Sequence, residues 1–211
     1  MKKSACILSI HALCAVVLLV AGMSCLHAKP MDSLMGQQVP ALQRIASGIR
    51  KNGGLSEEDI ATVAKCIDSG DPVLLSAAAW IVGEYKEKDN SLLEKLKALR
   101  QGKLDKMPEA FVRIALEKCE ARKMERQWKP RPDMLKDANP YLRLEVMREL
   151  LLVNQDDGVA ATGKLSEDED PLVEFAARGI CLKAALGSPD MHGLLLDERH
   201  ELLLTIISGN R

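Results

Sequence analysis

From about residue 40 onward, apolar positions recur at the spacing of helix faces. Residues four apart share one face of a helix. Four segments repeat the same arrangement after a proline: Leu74 with Ala78, Ala110 with Ile114, Leu142 with Val146, and Val173 with Ala177. The prolines are Pro72, Pro108, Pro140 and Pro171, spaced 36, 32 and 31 residues apart. Asp71, Asn139 and Asp170 stand before three of them. Such a side chain can accept from exposed backbone donors, and Pro at the first helical position forfeits no needed hydrogen bond. Met107 offers no such cap. Each of these segments predicts the first helix of a unit.

Second helices lie between them. Ser91-x-x-Glu94 has the form of a capping box and opens a stretch to Leu99 with Leu92, Leu93, Leu96 and Leu99 on one face. Another runs from about Asp157 to Leu165. Upstream, Ser56-x-x-Asp59 opens a helix carrying Ile60, Val63, Ala64 and Ile67, after a helix from Pro40 to Lys51 that stops at Gly53-Gly54. A last pair starts at Ser188-Pro189 and ends on Leu202 to Ile207. The stretch Gln127 to Pro132 carries two prolines and cannot continue a helix. The second helix of that unit, near Asp133 to Asp137, must therefore be very short.

Helix, short turn and helix, repeated every thirty-odd residues, predict an all-α chain: an α-solenoid of four to five stacked antiparallel pairs over residues 40–208. The segment Asp71 to Gly83, Asp-Pro-Val-Leu-Leu-Ser-Ala-Ala-Ala-Trp-Ile-Val-Gly, and the segment Asp170 to Ile180 resemble the first helix of short HEAT-like repeats. Those helices typically run Asp-Pro, two or three residues, Ala-Ala and then an aliphatic. The units at Met107 and Asn139 lack the Ala-Ala pair. The tetratricopeptide pattern is absent, since the Trp80 stretch has Gly83 and, at 87, no tyrosine. The resemblance implies a stacked surface that binds another protein or peptide. An irregular helical bundle is the alternative.

Composition agrees with helices. Leu, Ala, Glu and Lys dominate and aromatics are 3% of the chain, whereas sheets favour aromatic and β-branched residues. The leading segment adds a compartment. Lys2 and Lys3 precede an uncharged run from Ser4 to Ala28, the form of a secretory signal peptide. The expected organisation is a signal over 1–28, a linker over 29–39 and a helical domain over 40–208, outside the cytoplasm in the periplasm or secreted. Cleavage could follow Ser24 or Ala28. Two other readings stay open: a retained membrane anchor, because ~20 apolar residues span a bilayer, and a lipoprotein attached through Cys25. In all three the leading lysines place the rest of the chain outside the cytoplasm.

Past residue 28 there are 27 basic and 30 acidic side chains, a balance of -3 that argues against a nucleic-acid binder. Little in the sequence suggests catalysis. His192 and His200 are eight apart, not the four that lets two imidazoles share a metal, and read as solvated surface. Cys66, Cys119 and Cys181 lack a CxxC spacing and read as small core residues, with one bridge open in an oxidising compartment. Glu167 to Asp170 lacks the alternation of a calcium loop and reads as a solvated turn with Asp170 as a cap. No cofactor, metal or small-molecule substrate is expected.

Charge supplies the functional hint. Arg100 to Lys136 holds 11 basic and 6 acidic residues, a balance of +5, against -7 over Asn154 to Glu201. The candidate partner-binding residues are Arg122, Lys123, Arg126, Trp128, Lys129 and Arg131, because Trp and Arg are enriched at binding hot spots. Trp128 has two readings, an exposed anchor or a plug folded over the core. The expected function is a non-enzymatic interaction or scaffold module. Alternatives are an envelope-anchored structural protein and a lyase resembling the HEAT-like bilin lyases. Those lyases act on cytoplasmic proteins, which disagrees with an export segment.

Overall fold

The computed structural model describes residues 33–52, 54–86, 91–153, 155–185 and 198–208. The expected signal segment, Cys25, His192 and Ser188-Pro189 lie outside them. The chain divides into two compact units, Met1–Gln37 and Gln38–Arg211. Of the first, only the opening turn of a helix is described; all packing below is within the second.

Among the described residues every regular element is helical. The helices are α1 (Ser33–Asn52), α2 (Glu57–Asp68), α3 (Pro72–Glu84), α4 (Ser91–Arg100), α5 (Lys106–Lys123), α6 (Pro140–Val153), α7 (Gln155–Leu165), α8 (Pro171–Ala185) and α9 (Glu198–Ser208). A 3₁₀ turn, Pro132–Lys136, lies between α5 and α6 and is the short element expected there.

Local chemistry explains several of the starts. Ser56 Oγ accepts from the Asp59 amide at 3.2 Å while Asp59 Oδ2 accepts from the Ser56 amide at 3.1 Å, a complete capping box. Asp71 Oδ1 accepts from Val73 and Leu74, both at 2.9 Å, and Asp170 Oδ1 accepts from Leu172 at 3.0 Å. Gly70, at φ +71°, takes the left-handed turn between α2 and α3.

Two starts differ from expectation. Helix α1 begins at Ser33 rather than Pro40, so that Pro40 lies inside it. Helix α5 begins at Lys106 with Asp105 as its cap residue, which makes Pro108 its third residue. Pro108 is tolerated there because the amides of a first helical turn have no intrahelical partner; Pro40, the eighth residue of α1, lies beyond that turn and leaves the Gly36 carbonyl without its amide donor. Aligned on their cap residues, the first helices start at Asp71, Asp105, Asn139 and Asp170, spaced 34, 34 and 31 residues apart.

Most packing joins helices that are adjacent or one apart along the chain: α2 with α3, α3 with α5, α5 with α6, α6 with α7, and α7 with α8. The alanine pairs, Ala77 with Ala78 and Ala176 with Ala177, are fully buried. Leu74, Ile81, Leu142 and Ile180 are buried beside them, each stabilising the fold by roughly 1.5–3 kcal/mol. Among the described residues α9 breaks the sequence order, packing on α3.

Candidate functional site

The basic segment divides into side chains facing inward and outward. Arg122 is used internally, donating to the carbonyls of Gly83 at 2.5 Å and Val82 at 3.2 Å, where it satisfies the C-terminal end of α3. After Lys123 the helix ends with Glu125 at φ 53°, a left-handed conformation that costs an L-residue energy and turns the chain sharply. Lys123, Arg126 and Lys129 are exposed around that bend. Arg131 is also exposed and lies 3.4 Å from Asp133 and 3.7 Å from Glu117. Trp128 takes the second of its two readings: it is half-buried against the core, its indole N–H donates to Glu117 at 3.2 Å, and the Lys118 ammonium sits 5.1 Å from its ring centroid.

Sequence reasoning missed a partly buried ionic cluster that joins these helices. Lys118 of α5 donates to Glu84 of α3 at 2.6 Å and to Glu149 of α6 at 2.7 Å, tying three helices together. One turn earlier on α6, Glu145 is paired with Arg148 at 3.2 Å and with His200 of α9 at 3.1 Å. His200 is wholly buried and meets the Tyr141 ring edge-on at 5.5 Å. The solvated surface expected for His200 is thus overturned; the face of α9 that carries it is the one pressed into the domain.

A signal for the cluster was available in register. Six residues after the cap, the first helices carry Ala77, Phe111, Glu145 and Ala176; ten after it, Ile81, Ala115, Glu149 and Ile180. Only α6 places carboxylates at positions that the other three keep apolar. A carboxylate there needs a partner, because burying a lone charge is costly. The proline alignment, two residues out in α5, hid the comparison.

Burial works against the charge on Glu145, but Arg148 and His200 outweigh it and hold the carboxyl below the ordinary value of 4.5. Burial pushes Glu149 the other way, reinforced by Glu84 and Glu145. Burial also disfavours the charge on Lys118, yet its two carboxylate neighbours keep its pKa above the usual lysine value. A depressed carboxyl contributes stability above its unfolded pKa and loses it as pH falls through the folded one. We therefore expect acid unfolding below about pH 4.5 to be less steep in Glu145→Gln than in the natural chain. A titration followed by circular dichroism checks this; equal steepness in the two would refute the role of Glu145. Glu149 acts in the opposite direction in both proteins, because burial, the largest cause of its raised pKa, is unchanged by the substitution.

The cluster lines one side of a narrow cleft with Trp80, Phe111 and Ile114, too small for more than about one water. His200, wholly buried, ties α9 to α6 through Glu145. Among the described residues no three or more His, Cys, Asp or Glu side chains gather as a metal site. Cys66, Cys119 and Cys181 are free thiols, the first two buried. Burial, with help from Asp71, pushes the Cys66 thiol up to about 11, which leaves it a poor nucleophile. Searches against protein-family models, curated proteins and solved structures found no match to this chain.

Proposed function

We propose that this chain is a non-enzymatic protein-interaction module of HEAT-like helix pairs, exported from the cytoplasm, that holds an acidic partner at the bend after α5. The observation carrying this reading is the division of the basic segment. Arg122 and Trp128 brace the bend from inside, while Lys123, Arg126 and Lys129 face solvent on it. A rigid backbone presenting exposed cations recognises acidic surfaces and speeds encounter with them. Packing between helices adjacent or one apart along the chain, and the shared buried register of α3, α5, α6 and α8, support the stacked-repeat reading. Exposed Leu172, Phe175 and Leu182 on one face of α8 add apolar surface of the kind that binding proteins carry. The export reading rests on Lys2, Lys3 and the uncharged run after them. No helix among the described residues is long and apolar enough to cross a membrane.

The test reverses the exposed charges together: Lys123→Glu, Arg126→Glu and Lys129→Glu. These side chains are outside the core, so helix content and melting should stay near those of the natural chain. We expect a partner cross-linked to the natural protein in its own cell to be lost with the triple variant. Retention of the same partner by the variant would sink the assignment of this surface.

A further inference from the structure

Helix α8 differs from its counterparts along one face. Five residues after the cap, α3, α5 and α6 carry Ser76, Ala110 and Leu144, all wholly buried, whereas Phe175 of α8 is 71% exposed. Two residues after the cap, Val73 and Met107 are buried and Tyr141 is half-buried, whereas Leu172 is exposed. Leu182 extends the same bare stripe. The order of packing matches this difference. A later helix lies on each counterpart, α5 on α3, α6 on α5 and α7 on α6, but the helix after α8 is seated on α3.

The turn leading into this face is acidic, and its carboxylates alternate in use. Asp168 accepts from Arg143 at 2.6 Å, and Asp170 caps α8 through the Leu172 amide at 3.0 Å. Glu167 and Glu169, which alternate with them, are exposed. Apolar patches rimmed by polar groups mark interaction sites. A partner for this one must bring cations to Glu167 and Glu169 and an apolar group to Leu172 and Phe175. The bend after α5 has both: Lys123, Arg126 and Lys129 are exposed around Met124, itself 60% exposed.

We propose that this face of α8, with Glu167 and Glu169, docks the basic bend of a second copy of the chain. Opposite charges orient the encounter, and Met124 against Leu172 and Phe175 supplies the contact that excludes water. The two surfaces are unlike, so each copy accepts one neighbour and offers itself to another. The inference rests on the reading of the bend as the site of an acidic partner, and names that partner's surface. Both halves of the contact belong to one chain, so no further protein is required.

The test is sedimentation of the full chain over a rising range of concentration. The natural chain should pass from monomer to larger species. Lys123→Glu, Arg126→Glu and Lys129→Glu together should keep it monomeric, and so should Glu167→Lys with Glu169→Lys. A mixture of those two variants should associate again, because one is then acidic at both surfaces and the other basic at both. Phe175→Ser, at an exposed position, should melt near the natural chain and weaken association about tenfold or more. A natural chain that stays monomeric throughout overturns the proposal, as does association that ignores both reversals and so arises elsewhere in the chain. Failure of the mixture to associate overturns the pairing of these two surfaces. A marked fall in the melting temperature of Phe175→Ser shows the face covered by the chain's own residues, and also overturns it. Another protein cross-linked at the bend of a monomeric chain refutes the second copy but leaves the basic surface in place, whereas retention of that protein by the triple reversal refutes the surface itself.

Discussion

Replacing Arg143 with Met should destabilise the protein by about 3–5 kcal/mol. Arg143 and Asp168 form an ion pair at 2.6 Å with side chains 5% and 7% exposed. The same guanidinium donates to the Asp137 carbonyl at 2.5 Å, and Asp137 in turn accepts from Arg113 of α5 at 2.6 Å. One side chain on α6 thus secures the turn before its own helix and the turn before α8. Methionine keeps much of the buried stem and removes the charge, leaving Asp168 desolvated with only the Asp170 amide, at 2.9 Å, as a donor. The cost lies mainly in that stranded carboxylate rather than in the lost attraction. The double variant Arg143→Met with Asp168→Asn should therefore be more stable than Arg143→Met alone, because Asn keeps an acceptor for Asp170 without a charge. Urea unfolding of the three proteins checks this through their midpoints at constant slope. A double variant less stable than the single one would show that attraction, not stranding, dominates. Arg143 Nε is buried without a hydrogen-bond partner, so the natural pair is itself imperfect.

The second large effect is expected at Gly158, in α7. A Cβ built there would stand 2.5 Å from the Cα of Leu151 and 2.6 Å from its Cγ and Cδ2. Backbone cannot yield as a flexible side chain does, so α6 and α7 would have to move apart. We expect Gly158→Ala to cost about 2–3 kcal/mol by overpacking. Gly163, in the same helix, is exposed, and a Cβ added there would meet nothing within 4 Å. Ala at that position should stabilise by roughly 0.5–1 kcal/mol through helix propensity. Opposite signs for one substitution in one helix separate packing from propensity. If both variants melt higher than the natural chain, the close approach of α6 and α7 is not real.

Much of the fold was legible in the residues. The Asp71 and Asp170 caps, the Ser56–Asp59 box and the prolines after residue 127 act within one helical turn, and their outcome needs nothing from the rest of the chain. Apolar periodicity likewise named Leu74, Leu142 and Val173 as core before any packing was known. The site was far less legible. Lys123, Arg126 and Lys129 stand exposed as the charge pattern suggested, but Arg122 and Trp128 turn inward because Val82, Gly83 and Glu117 offer bonding partners there. Those partners are up to 40 residues away, beyond the reach of any local pattern.

What the sequence determined by itself is therefore the set of helices, where most of them begin and which stripe of each avoids water. The tertiary structure alone decided which stripes meet: that α9 returns to α3, that His200 is buried on Glu145 and that Arg143 reaches Asp168. The reason is one of range. Caps and helix faces are settled by neighbours three or four residues away, whereas a buried charge is tolerated only once a partner from a distant part of the chain has arrived beside it.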